Sequence, residues 1–502
     1  MSITGPGSIT AATLATQNSM FSQLNTLSQE LGSGQAAQTY SGLTSQAGLV
    51  LELGAQLSAI QGYSSTATTV GTTLSVAQSA LSGLAGAGSA VAQSISQQGT
   101  FTLDGNGQTS VQESAASYLD QIFSLLNTQV GGNYLFSGSA TNQPAVASTD
   151  EILNGNGSQA GLTQIISQRL AADEGADNLG RLTVGGTSPD ITLSQDGSPF
   201  GFQLAGVNSN LTGATVSGPT GSPPTVSIDL ASNPNPGDSI SFALTLPDGS
   251  SQTIALQATT SSPPGANQFT IGADATTTGN NLQSALTTAI GNLAQTALPA
   301  ASAIAAANNF FADPPQIVDA GSPPDYSTAM SLENGTTANT VFWYTGENGS
   351  TPALQTATAQ VGPSMTVSYG MRATEPAITS LVANVAALAA TTYSTSNPNA
   401  QASYQALCQS VSANLAGQSG TQSISDIEAD IANAQSAVTN ATTLNTQTQS
   451  TLNDMLQGID GVNQDQLGEQ ILTLQNTLSA SMSVTARLAQ LSLVNYLAPA
   501  SG

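Results

Sequence analysis

Lysine and histidine are absent from these 502 residues, cysteine occurs once and arginine four times. Each absence removes a kind of chemistry. Without histidine there is no Ser-His-Asp or Cys-His catalysis, no imidazole base and no histidine metal site. Without lysine there is no phosphate-binding P-loop and no Schiff-base nucleophile. A lone Cys408 builds neither a disulfide framework nor a thiolate metal cage. Scattered arginines at 169, 181, 372 and 487 neutralise too few phosphates for nucleic-acid binding. Long apolar runs are missing as well: no stretch approaches the roughly 18 residues that mark a spanning helix, so no membrane insertion is expected. The opening Met1-Ser2-Ile3-Thr4-Gly5-Pro6-Gly7 has neither a basic region nor an apolar core. Export, if any, is expected by a route that reads no cleaved leader.

What is present is acid, thinly spread. Twenty-nine carboxylates give a formal net charge of −25, yet charged residues make up only 7% of the chain, against roughly 25% in ordinary soluble domains. The surface must therefore be solvated mainly by Ser, Thr, Asn and Gln. Carboxylate pairs are the remaining catalytic option: Asp313 with Asp319, Asp150 with Glu151, and Asp173 with Glu174. A working dyad needs groups about 5–9 Å apart with divergent pKa values, and nearness in sequence supplies neither. Asp150-Glu151 reads as the first turn of a helix, and the other pairs read as loop residues. Asp454, Asp460 and Asp465 lie near Gly458 and Gly461 but lack the spacing of a calcium loop. No catalytic, metal or cofactor site is expected, and no cofactor.

The two ends of the chain share one pattern and the middle has another. Met20, Leu24, Leu27 and Leu31 step by heptad spacing until Gly32-Ser33-Gly34. The seam resumes at Leu53, Leu57 and Ile60, then runs through Val70, Leu74, Ala77, Leu81 and Leu84. A further helix is predicted from Val111 to Val130. At the other end, Ile424, Ile427, Ile431, Ala434, Val438 and Ala441 continue through polar Asn445 and Thr448 to Leu452, Met455 and Ile459. A last helix carries Leu467, Ile471, Leu474, Leu478, Leu488 and Leu491. Heptads held this long predict helical, coiled-coil rods at both termini.

Between them, residues 149–372 read as a strand-rich α+β insert. A helix is expected over Thr149–Ala171. Alternating runs predict strands at Arg181–Val184, Asp190–Leu193, Phe200–Val207, Thr225–Leu230, Ser239–Leu246 and Thr253–Leu256, with a hairpin turn at Asp248-Gly249. Another helix is expected at Leu282–Leu293, and a strand pair from Thr340–Tyr344 and Met365–Tyr369. Glu375-Pro376-Ala377 opens the returning helices. Trp343 and Tyr344 are expected in the insert core, and Cys408 as a small core hydrophobe.

The seams pack either within one chain or against other copies. Small residues crowding 77–92 (Ala77, Ala80, Gly83, Ala85, Gly86, Gly88, Ala90) favour close approach of another copy. Arg487, the only cation of the last helix, is a candidate donor across such a contact, with Asp465, Glu469 or an N-terminal carboxylate as acceptor.

Several segments resemble one family in the same order. Leu27-Ser28-Gln29-Glu30-Leu31-Gly32-Ser33-Gly34 is similar to the end of the first flagellin helix, and Leu478–Ser483 with Leu491–Leu497 is similar to its closing helix. Gly132-Asn133-Tyr134-Leu135-Phe136-Ser137-Gly138 resembles a segment of the hook–filament junction branch, and the passage Thr366–Ala377, with Tyr369-Gly370-Met371-Arg372-Ala373-Thr374-Glu375-Pro376, resembles longer flagellin-type proteins. The likeness covers roughly residues 1–140 and 365–500 and leaves the insert unmatched. It implies a non-enzymatic flagellar subunit, exported by the type III apparatus with a chaperone and found outside the cell. It would self-assemble into many-copy helical filaments for motility alongside hook-associated and cap proteins. The corresponding layout has a polymerisation helix over 1–45, rod layers over 46–148 and 373–460, the outer insert over 149–372, and a closing polymerisation helix over 461–502. Length and insert favour the filament protein, whereas the Tyr134–Gly138 segment points to the junction ring. A non-flagellar surface protein or adhesin is the third expectation. Innate-receptor recognition is not expected, because Gly88–Ser94 lacks the arginine and glutamate of that flagellin motif. Loss of carboxylate charge below about pH 4 predicts a polymer that tolerates acid.

Overall fold

The computed structural model describes residues 6–36, 46–417 and 420–496, with side chains over 11–36, 46–417, 420–459 and 461–487. About half of the chain is helical, with helices at both ends and a strand-rich central region. It divides into two compact units.

The first unit gathers the described parts of Met1–Gly71, Ala359–Val367 and Ser436–Gly502. It contains α1 (Pro6–Ser33), the first part of α2 (Ala47–Ser96), the last part of α10 (Ile424–Asp460) and α11 (Gln464–Tyr496). Helices this poor in charge satisfy their hydroxyls internally. Thr16 donates to Ala12 O, Thr66 to Gly62 O and Thr446 to Thr442 O, each bending back one turn. α1 and α11 run antiparallel, joined at one end by Val462 N donating to Gly34 O at 3.3 Å. In the α2–α10 pair, Leu53 and Ile60 bury against Leu452, with Leu57, Leu456 and Ile459 partly covered. Asn445 sits at a heptad position with only 1% of its surface exposed. Its amide donates at 2.8 Å to Val361 O, the carbonyl of a short strand packed on the helix. A polar residue inside the seam is thus a deliberate anchor for that segment, and not a gap in the pattern.

The second unit spans Thr72–Thr358 and Ser368–Gln435. Besides the rest of α2 and the start of α10, it holds α3 (Ser110–Leu126), α4 (Thr149–Asn154), α5 (Leu162–Glu174), α6 (Ala275–Ala294), α7 (Ala297–Phe310), α8 (Pro376–Ala390) and α9 (Ala400–Leu415). β1 (Gln129–Val130) and β2 (Asn133–Tyr134) form a small hairpin. One sheet takes β3 (Leu182–Thr187), β4 (Asp190–Gln195), β6 (Ala214–Thr220) and β7 (Thr225–Leu230) in the order β3-β4-β7-β6. The other takes β5 (Gln203–Ser209), β8 (Ser239–Thr245), β9 (Ser251–Thr259) and β10 (Gln268–Thr270) in the order β10-β9-β8-β5. All pairings are antiparallel except β9 with β10. Alternate residues of β7 and β8 turn inward. Val226, Ile228, Ile240 and Phe242 share one core with Leu282, Leu286 and Ile290 of α6.

Several expectations need correction. The Val111–Val130 helix stops at Leu126, because the residues beyond it enter the β1–β2 hairpin. The Thr149–Ala171 helix is two helices, broken where Gly155 (φ 86°) takes a left-handed backbone. Its N-terminal reading holds: Ser148 and Glu151 form a capping box. Thr340–Tyr344 is not a strand partner of Met365–Tyr369. β11 (Gln316–Val318) pairs with β12 (Leu332–Asn334), and β13 (Thr358–Gly362) pairs with β14 (Met365–Ser368). Residues 340 and 344 make only isolated bridges, to Ala160 and Val146. The alanine-rich α7 and the edge strand β6 carried no periodic signal. α7 is buried nearly all round, so it has no amphipathic stripe to read.

Candidate assembly surface

In the α1–α11 pair the inward face of α1 is Gln17, Met20, Leu24 and Leu27, of which only Gln17 is buried. Its amide donates to Thr485 Oγ1 at 2.9 Å and reaches Ser481 Oγ at 3.4 Å. A polar layer therefore sets the register of these helices, as a buried amide does in coiled coils. Opposite, Leu467, Ile471 and Leu478 are buried and Leu474 is half-buried. Leu31 ends the seam exposed. Leu53 and Ile60 are buried and Leu57 is half-buried. The side chains of Leu488 and Leu491 lie outside the described residues.

Leu74 and Leu81 are fully buried within their own chain. The small residues beside them serve the same packing. A Cβ added at Gly83 would stand 2.8 Å from Leu125 of α3, and one at Gly88 would stand 2.9 Å from Leu381 of α8. Gly83 and Gly88 thus serve intrachain helix contact, whereas Gly86 is exposed with nothing within 4 Å of an added Cβ.

Among its many exposed polar residues the first unit also leaves large apolar side chains uncovered. Among the described residues, the exposed large hydrophobics are Leu14, Phe21 and Leu31 on α1, Leu49 and Leu51 on α2, Leu444 and Met455 on α10, and Leu472, Met482 and Val484 on α11. The second unit contributes Met330 alone. Scattered exposed leucines are ordinary, but ten of these eleven side chains fall on four helices of one unit.

The two segments that carried the family likeness in the middle of the chain meet in the second unit. Ser137 bridges Arg372, Gly138 N donates to Met371 O at 3.0 Å, and Ala373 N donates to Phe136 O at 2.9 Å. Arg372 donates from Nε and Nη2 to Glu347, and from Nη1 to Gly349 O (2.8 Å) and Thr351 O (2.7 Å). Its guanidinium closes the 347–351 loop over that junction, and Phe136 is fully buried beneath.

The remaining buried cations are also paired internally. Arg169 Nε donates to Asp173 at 2.8 Å, and Gly201 N donates to the other carboxylate oxygen at 2.9 Å. Arg181 donates to Asp196 at 2.9 Å and to Ala172 O at 2.6 Å. Both guanidinium groups face the Phe200 ring, 5.0 and 5.6 Å from its centroid. Asp173 is therefore not a loop residue, as expected from sequence, but a buried ion-pair partner at the end of α5. Burial raises its pKa, against the opposing pull of Arg169 and the Gly201 N–H. Glu174 beside it is raised by burial and by the Asp173 charge.

Arg487 is exposed and pairs with no carboxylate among the described residues. Among these residues no cluster of three potential ligands is placed to hold a metal, and no helix is long and apolar enough to cross a membrane. Trp343 is buried with Nε1 donating to Phe311 O at 3.0 Å, and Tyr344 is buried beside it. Cys408 is buried and its thiol is pushed up to about 11 by desolvation. Compared with known proteins, the chain matches no protein-family model and no curated protein.

Proposed function

We propose that the chain is a structural, non-enzymatic subunit that self-assembles through its terminal helices into the filament of a bacterial flagellum, as a flagellin-like protein outside the cell. The observation that carries this reading is the concentration of exposed apolar side chains on α1, α2, α10 and α11. The order of flagellin-like segments along the sequence supports it, as does the absence of lysine and histidine chemistry. In this reading the terminal helices are coiled-coil rods that pack copy against copy, and the central sheets face solvent. The contacts are heterologous and do not close, so they propagate. An export chaperone and other flagellar axial proteins are the expected partners.

The Tyr134–Gly138 segment, seated at the Arg372 junction, favours a second reading in which the subunit forms a short ring between hook and filament. Electron microscopy of the purified full chain across a concentration series tests both. Long filaments support the filament subunit, closed rings support the junction subunit, and monomers at every concentration remove both.

A further inference from the structure

Charge is distributed unevenly along the α1–α11 pair. The carboxylates of these helices, Glu30, Asp465 and Glu469, sit at the end where Gly34 meets Val462. The opposite end, where Gln17 meets Thr485, carries Arg487. α1 has no acid near that end, so Arg487 finds no counter-charge across its own helix pair. Along α11 itself, Glu469 lies 18 residues away, about 27 Å at 1.5 Å per residue, far beyond side-chain reach. The pair is acidic at one end and basic at the other, and none of these four groups forms an ion pair among the described residues.

The acidic end also carries a groove of about 500 Å³ on the helix pair, lined by Gln23, Leu27, Gln470, Thr473 and Leu474. Glu469 is the only ionisable side chain that lines it. Asp465 lies in the first turn of α11, where it complements the helix dipole. Glu469 is beyond that turn and exposed.

We infer that this groove receives the Arg487 end of α11 from a second copy, so that Arg487 pairs with Glu469 across a head-to-tail contact. The inference rests on the assembly reading above and adds polarity to it. Apolar contacts alone would allow either orientation of a neighbouring rod, whereas the two-ended charge favours one. In a chain whose other arginines are all engaged internally, Arg487 is the one available partner for such a carboxylate among the described residues.

The test uses the full chain in four forms: wild type, Arg487→Glu, Glu469→Arg, and the two exchanged together. Both residues are exposed, and circular dichroism checks that all four forms keep the same helicity. The critical concentration for assembly is read by sedimentation at low salt. Each single reversal is expected to raise it about tenfold, and the exchanged pair to return it to within about threefold of wild type. Single variants that assemble at the wild-type concentration, or an exchanged pair no better than either single, overturn the inference while leaving assembly intact. A wild-type chain that fails to assemble overturns the assembly reading, and this inference with it.

Discussion

The buried Arg169–Asp173 pair offers the sharpest energetic test of the fold. Asp173 is fully buried and Arg169 is 5% exposed, so neither charge is rescued by water when its partner goes. Breaking such a pair costs about 3–5 kcal/mol, because one charge is left uncompensated in the interior. Asp173→Ala also orphans the Gly201 N–H, which donates to the same carboxylate, adding about 1–3 kcal/mol for an unsatisfied buried donor. Asp173→Ala is therefore expected to cost about 4–8 kcal/mol, and Arg169→Met about 3 kcal/mol, since an uncharged Asp173 can still accept from Gly201.

The pH dependence separates the two. Burial raises the folded pKa of Asp173 above its unfolded value, so the folded state binds that proton more tightly. Arg169→Met removes the opposing charge and raises it further. The Arg169→Met penalty should thus be largest at neutral pH and shrink as pH falls through that raised pKa. Urea unfolding followed by Trp343 fluorescence, which reports the second unit, measures both effects. A loss below about 1 kcal/mol in Asp173→Ala, or an Arg169→Met penalty that grows on acidification, would refute the reasoning.

Further outcomes follow from the same geometry. Leu81→Ala, at a fully buried site, should cost about 2–5 kcal/mol. Leu14→Ala and Leu472→Ala, both exposed, should change monomer stability by under about 0.5 kcal/mol while weakening assembly, a contrast read by calorimetry and sedimentation. Gln17→Ala should loosen the α1–α11 register by about 1 kcal/mol, detected as faster amide exchange in α11 around Thr485. Asp104, Asp196, Asp238, Asp274, Asp325 and Asp426 are all held below the usual range, mainly by N–H and hydroxyl donors. Their contribution is present above about pH 4 and is lost as pH falls through the depressed values. Asp173 and Glu174 act in the opposite sense. The Cys408 thiol, raised to about 11, should resist thiol reagents at pH 8 until urea unfolds the chain.

The long helices and most central strands were legible because their burial repeats with the period of the element. Leu467, Ile471, Leu474 and Leu478 announce α11, and Thr225–Leu230 coincides with β7. α7 escaped because it is covered on all sides, and the 149–171 break escaped because a glycine near a helix end looks like a weak helix residue until the partner loop is known. The proposed assembly surface was half legible. Heptads gave the inward faces, but exposed Leu14, Phe21, Leu472 and Met482 lie off that frame and become visible only when α1 and α11 are paired. The small residues from 77 to 92 leave the neighbour open in sequence, because close packing looks the same whether it is the same chain, as at Gly83 and Gly88, or another copy. Arg169 and Asp173 are spaced by one helical turn, a signal that Gly201 and Phe200 make specific only in three dimensions.

The account stands most directly on seeded elongation. Sheared fragments of assembled wild-type chain are mixed with fresh monomer, and growth is followed by light scattering and electron microscopy. A triple variant, Leu14→Ser, Phe21→Ser and Leu472→Ser, serves as the comparison. The account predicts that wild type extends the seeds without limit and that the variant, equally folded, does not. Wild type that never extends, or a variant that extends as fast as wild type, contradicts the claim that the exposed faces of the terminal helices build the polymer.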